Sequence, residues 1–160
     1  MENITSTAKW ICLAAQSMEL TSGARYLVDT NVLIYSVDRN SSHYEAARDI
    51  LGKALGAGVI LAVAHQNLLE FIAVLTRGYH VQVKEALRDV EAFGETFEVV
   101  APHFLTFKRC LRLLGKAPKA VYPFDVYLAA TMLDNDVERI ITGNAKDFQH
   151  LGLKEIVEVA

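Results

Sequence analysis

From Tyr26 onward the chain alternates between continuous apolar runs and stretches with helical spacing of apolar residues. Tyr26-Leu27-Val28 and Val59-Ile60-Leu61-Ala62-Val63 carry no polar alternation, the pattern of strands buried on both faces. Shorter runs at Phe97–Val100, Arg139–Thr142 and Ile156–Val159 predict three more strands. Asp29-Thr30-Asn31 suits a strand end and a helix cap, and Val32-Leu33-Ile34-Tyr35 begins a short helix behind it. Ser41-Ser42 are placed to cap a helix over 43–55, with Ala46, Ala47, Ile50, Leu51 and Leu55 on one face and Gly56 and Gly58 as stops. A helix over 66–76 is expected to turn Leu68, Leu69, Ile72 and Leu75 inward and to end at Gly78. Further helices are expected over 81–93, from Pro102 to about Leu114, and from Phe124 to about Leu133. Strands alternating with helices predict an α/β fold of three layers, α/β/α, around a central and mostly parallel sheet.

Residues 1–25 do not share this pattern. They read as an N-terminal extension to a domain over 26–160, and Met18 is an alternative start. The whole is 160 residues, the size of one domain, and its 52% hydrophobic content excludes a disordered chain. A net charge of −3 excludes nucleic-acid binding by bulk charge and leaves room for a local basic patch. Cys12 and Cys110 form neither a metal-ligand spacing nor a disulfide framework, so a reduced, cytoplasmic setting is expected. The apolar stretch from Trp10 to Ala15 is short for a signal peptide, and no run approaches the ~20 residues of a membrane span.

The candidate chemistry lies in the acids. Ligands of open parallel sheets bind at the carboxyl ends of the strands. Asp29 ends the first strand, Asn144 and Asp147 follow the strand closing at Thr142, Glu70 lies one turn into the helix after the second strand, and Asp125 opens a helix. Carboxylates gathered at one edge suit a hard cation such as Mg²⁺ and repel one another without it. Each acid alone also has an ordinary reading: Asp29 as a helix cap, Glu70 on a solvated helix edge, Asp125 as a charge favoured by the helix dipole.

Four strings taken in order carry more than any one of them. Tyr26-Leu27-Val28-Asp29-Thr30-Asn31-Val32-Leu33-Ile34-Tyr35, Asn67-Leu68-Leu69-Glu70-Phe71, Phe124-Asp125-Val126-Tyr127-Leu128-Ala129-Ala130-Thr131 and Thr142-Gly143-Asn144-Ala145-Lys146-Asp147-Phe148 resemble the motifs of PIN-domain ribonucleases, particularly the VapC-type toxins of toxin–antitoxin pairs. The resemblance spans about residues 26–159. It implies a PIN-like fold and Mg²⁺- or Mn²⁺-dependent hydrolysis of RNA phosphodiester bonds. Asp29, Glu70, Asp125 and Asp147 are the implied catalytic acids and Asn144 an alternative fourth ligand. Thr30, Asn31 and Thr142 would orient those ligands. Many relatives have Asp at the position of Asn144, and some carry another acid where this chain has Val121, so one or two cations remain open. A cognate antitoxin protein and a homodimer are the implied partners, the dimer through helices around 43–55 and 66–93.

An acidic site must still hold an anionic substrate. Residues 101–124 contain no Asp or Glu and carry Lys108, Arg109, Arg112, Lys116 and Lys119. Lys108 and Arg112 share a helix face, while Phe104, Phe107, Leu111 and Leu114 occupy another. This basic stretch reads either as a phosphate-contacting edge or as an ordinary solvated face. Tyr122, Phe124 and Tyr127 are candidates for base stacking or for core packing. His43, His65, His80, His103 and His150 show no ligand spacing. A housekeeping RNA-processing nuclease and a non-cleaving module that binds RNA or protein are the competing functions. Aspartyl phosphotransfer is disfavoured because Asn31 replaces the second Asp of the pair it needs.

Overall fold

Tyr26, Leu27 and Val28 have no exposed surface, and they form the central strand of the sheet in a computed structural model that describes residues 20–117 and 121–160. The strands are β1 (Arg25–Val28), β2 (Ile60–Ala64), β3 (Glu98–Val100), β4 (Arg139–Thr142) and β5 (Glu155–Glu158). Their order is β3-β2-β1-β4-β5, and every pairing is parallel. Leu27 is in register with Ala62 on one side and Ile140 on the other. The chain first winds from β1 out to β3, then returns to add β4 against the opposite side of β1. The switch in winding direction therefore falls between β1 and β4, where such sheets open a crevice at the carboxyl ends of the strands.

Side chains of successive strand residues point to opposite faces and separate two cores. Tyr26, Val28, Leu61, Val63, Ile141 and Val157 pack beneath α1 (Thr30–Val37), α2 (Tyr44–Gly56), α3 (His65–Ala73) and α4 (Val83–Thr96). Leu27, Ala62, Ala64 and Ile140 pack beneath α5 (Thr106–Leu114) and α6 (Pro123–Asp134). These are the three layers expected from the sequence, with a wholly parallel sheet. A π-helical turn over Val74–Gly78 extends α3 to its expected stop, and a 3-10 turn over Ala145–Phe148 follows β4.

Three local expectations are corrected. In α3 the buried residues are Asn67 and Phe71, continued by Leu75 in the π turn, whereas Leu69 is 68% exposed. Asn67 takes an inward place because its Oδ1 accepts from the Ala64 amide at 3.0 Å and so closes the start of the helix. Next, α5 begins at Thr106 rather than Pro102. The Thr106 hydroxyl accepts from the His103 amide at 2.8 Å and holds the preceding residues in a turn. Finally, α2 is entered through His43 without a side-chain cap, and Ser41 Oγ accepts from the His43 amide instead.

The N-terminal stretch 1–19, with the suggested start at Met18 and the apolar residues 10–15, lies outside the described residues, as does Lys119. From Leu20 the chain is joined to the domain: the Gly23 amide donates to Gly58 O at 3.0 Å and the Ile60 amide to Ala24 O at 2.9 Å. Among the described residues no helix is long and apolar enough to cross a membrane.

Candidate active site

The end of β1 places Asp29 at the switch point, and its two carboxylate oxygens have separate partners. Oδ1 accepts from the Thr30 amide at 2.7 Å and caps α1. Oδ2 accepts from the Thr142 hydroxyl at 2.7 Å and from Asn31 Nδ2 at 3.0 Å. The cap reading of Asp29 is therefore correct for one oxygen, while the other is directed across the crevice to the end of β4. Asn31 completes this junction, its Oδ1 accepting from the Gly143 amide at 2.8 Å. Thr142 Oγ1 also accepts from the Asn144 amide at 3.1 Å. One hydroxyl thus fixes both Asp29 and the loop that carries Asn144 and Asp147.

Thr30 makes the corresponding link toward α3. Its hydroxyl donates to Glu70 Oε2 at 2.8 Å and accepts from Asn67 Nδ2 at 3.2 Å. Asn67, fully buried, was not singled out as a positioning residue in the sequence. It could have been, because it lies one helical turn before Glu70 on the same face. Gln66, one residue earlier, donates from Nε2 to Phe124 O at 3.0 Å and ties the start of α3 to the start of α6. Asn144 Nδ2 donates to Asp147 Oδ2, so the two candidates for a fourth ligand lean on each other.

The electrostatics connect all four acids. Burial pushes the Asp29 carboxyl above its ordinary value. The Thr142 and Thr30 bonds oppose that rise, the charge of Glu70 adds to it, and Asn31 opposes it again. Asp125, at the first turn of α6, is pushed up to about 7 by burial and then by the charges of Asp147, Asp29 and Glu70. Acids from three other segments therefore act on the Asp125 carboxyl. Among the described residues, however, no three His, Cys, Asp or Glu side chains form a group placed as they stand to hold a metal ion. The donor chemistry fits a hard cation, since every candidate ligand offers oxygen.

The basic residues divide. Arg109 pairs with Asp134 at the far end of α6. Burial raises the Asp134 carboxyl, but the bonds from Thr106 and Arg109 and the nearby positive charge outweigh it and leave it below its ordinary value. Lys108, Arg112 and Lys116 are exposed. Of the expected apolar stripe, Phe104, in the turn before α5, is 94% exposed and Phe107 and Leu111 are more than half exposed, while Leu114 packs against the α6 core. Of the three aromatic residues near Asp125, Tyr127 packs partly against the α6 core while Tyr122 and Phe124 project into solvent. Val121, where some relatives carry an acid, also packs against that core. The ring of His43 rests on Tyr35, and the other four histidines are exposed at dispersed positions.

Fold and site together define an α/β protein with Asp29 at the point where a parallel sheet changes winding direction and Glu70 linked to it through Thr30. The PIN domain pattern matches residues 26–153, and the chain belongs to that family. No curated protein matches the chain significantly. Solved structures with the same fold include VapBC2 from Rickettsia felis bound to a DNA fragment from its promoter, at 14% identity and a TM-score of 0.65, covering 84% of this chain and 98% of that one. A toxin–antitoxin complex from Klebsiella pneumoniae matches at 24% identity and a TM-score of 0.58 with the same coverage. VapC20 from Mycobacterium tuberculosis, described as a sarcin–ricin loop cleaving toxin, matches at 14% identity and a TM-score of 0.56, covering 72% of this chain and 86% of that one.

Proposed function

We propose that this chain is a metal-dependent endoribonuclease acting as the toxin of a toxin–antitoxin pair. The observation that carries the reading is geometric: Thr30 donates from its amide to Asp29 and from its hydroxyl to Glu70, and Thr142 ties Asp29 to the loop that carries Asp147. Carboxylates brought close to one another repel, and that repulsion would be relieved by a bound cation. Asp29, Glu70 and Asp125 would hold it, with Asp147 or Asn144 as the fourth donor. A cation held there, Mg²⁺ or Mn²⁺, would supply a water of lowered pKa and positive charge for the phosphate. The chain's own part is orientation. Thr142 and Asn31 aim Asp29, Thr30 aims Glu70, and the Gly143–Asn31 bond fixes the loop that brings Asp147. Membership of the PIN domain family supports the reading, as do neighbours that are toxin–antitoxin complexes. A cognate antitoxin and a second copy of this chain are the partners that follow from it.

The second reading is a module that binds without cleaving. It is favoured by the lack, among the described residues, of a metal-ready group of three, and by Val121 at a position that is acidic in some relatives. Incubation of a single-stranded RNA with the protein in Mg²⁺ or Mn²⁺ separates the two. The nuclease cleaves, and both EDTA and Asp29→Asn abolish the cleavage. Binding of the same RNA without cleavage in either metal establishes the module instead.

A further inference from the structure

We propose that Tyr122 and Phe124 form a stacking platform that seats an unpaired base of the RNA beside Asp125, an inference that rests on the nuclease reading above. The two ring centroids are 5.3 Å apart with planes inclined at 40°, and each residue is 57% exposed. The same fold buries Phe71, Phe93 and Phe148 almost completely, so its core has room for aromatic rings and leaves this pair outside. Single exposed apolar residues are ordinary on protein surfaces. Here two rings are in contact, and the second is one residue from a candidate catalytic acid, so paired aromatic faces are offered beside it.

Their backbone is held. Pro123 restricts the turn between them. The amides of Asp125 and Val126 both donate to Tyr122 O, at 3.1 and 3.3 Å. Phe124 O accepts from Gln66, on the same helix as Glu70. The platform is thus attached to both α3 and α6, the two helices that present Glu70 and Asp125, and little ordering is left to be done when a base arrives.

Charge selects RNA over an apolar protein segment as the occupant. In a chain of net charge −3, residues 101–124 lack any acid. Arg112 and Lys116 in that stretch are exposed and, among the described residues, in no ion pair shorter than 4.0 Å, while Lys108 lies beside the residues that meet Asp134 at the other end of α6. Aromatic faces combined with cations free to meet phosphates are the requirements of single-strand binding, and every base has a face to stack. A base held within a duplex has no free face, so the platform selects loops and single strands over paired RNA.

Fluorescence anisotropy with a short labelled RNA lacking secondary structure tests this in the Asp29→Asn background with Mg²⁺ present, where the strand stays intact. Tyr122→Ala or Phe124→Ala is expected to weaken binding roughly 5- to 100-fold. Tyr122→Phe and Phe124→Tyr should keep it, and Tyr122→Leu should lose it although it remains apolar. An abasic strand of equal length should bind the parent as weakly as the alanine variants do. Unchanged affinity in the alanine variants, full affinity with leucine, or equal binding of the abasic strand would each overturn the platform. Cleavage of RNA by the unsubstituted chain that persists with unchanged KM after Tyr122→Ala and Phe124→Ala also overturns it while leaving the nuclease reading intact. A protein that neither binds nor cleaves the RNA overturns both.

Discussion

Replacing Thr30 by valine removes one hydroxyl and keeps the shape and β-branching of the side chain. Thr30 is 6% exposed and Asn67 is fully buried, so no ordinary solvent replaces what is lost between them. The hydroxyl's bond to Glu70 is charge-assisted, a class worth about 1.5–3 kcal/mol net. Glu70 is itself exposed, so water compensates in part and the low end applies. The Asn67 amide is left with a buried N–H that has lost its acceptor, at about 1–3 kcal/mol. Thr30→Val is therefore expected to cost about 2–4 kcal/mol, a large part of the ~5–15 kcal/mol that holds a domain together. Thr30→Ser keeps both bonds and gives up one methyl group, about 0.8 kcal/mol. Urea unfolding followed by circular dichroism gives these differences directly, with the m-value expected to stay constant. A cycle with Asn67→Ala tests the origin of the effect. In that background Thr30→Val should cost about 1–2 kcal/mol less, because no amide remains to be orphaned. A valine variant within about 0.5 kcal/mol of the parent, a serine variant no better than valine, or strict additivity with Asn67→Ala would refute the reasoning.

Asp89, buried on α4 one turn after Glu85, is pushed up to about 6 by burial and by the charge of Glu85. Between about pH 4 and 6 the folded chain keeps a proton that the unfolded chain has released, so stability falls as pH rises through that window. The full shift corresponds to about 3 kcal/mol, and solvent reaching the carboxyl reduces it by half or more. Asp89→Asn should thus add about 1 kcal/mol at pH 8 and almost nothing at pH 4; denaturation curves showing an equal gain at both would contradict the assignment. A Cβ on Gly143 would come within 2.7 Å of the Tyr35 ring, which is backed by His43. Gly143→Ala is expected to cost about 1–3 kcal/mol and to disturb the Asn31 bond behind Asp29, and adding Tyr35→Ala should remove most of that cost in a double-mutant cycle. The Asp134 carboxyl lies below its ordinary value, so its stabilisation is present above the unfolded-chain value and is lost as pH falls. Asp134→Asn should lower Tm at pH 7, with the gap closing toward pH 3; a constant gap across a Tm–pH series would show that the ion pair with Arg109 is not its cause.

The parts of this fold that were legible are those in which one residue's character decides its place. Tyr26-Leu27-Val28 reads as a strand covered on both faces, and an acid directly after such a strand lies at its carboxyl end. The strand order that puts a switch point beside Asp29 was not legible, because alternation of helices and strands does not fix which strands are neighbours. What the sequence left unread depends on partners far away along the chain. Leu69 faces solvent against expectation, and Asn67 takes an inward place where it meets the Ala64 amide and the Thr30 hydroxyl. Arg109 looks like its neighbours Lys108 and Arg112 until Asp134, 25 residues on, takes it. The apolar stripe Phe104–Phe107–Leu111 has helical spacing yet faces solvent, since Thr106 and Cys110 occupy the inward positions of α5. The same logic bears on the acids. Their order along the chain marks them as candidates, but whether they act on one another depends on the junctions made by Thr142, Thr30 and Asn31. Those three polar side chains hold the ends of β1 and β4 and the start of α3 in a single hydrogen-bonded unit. The candidate site therefore includes, besides its acids, the hydroxyls and amides that tie Asp29 to Glu70 and to the loop carrying Asn144 and Asp147.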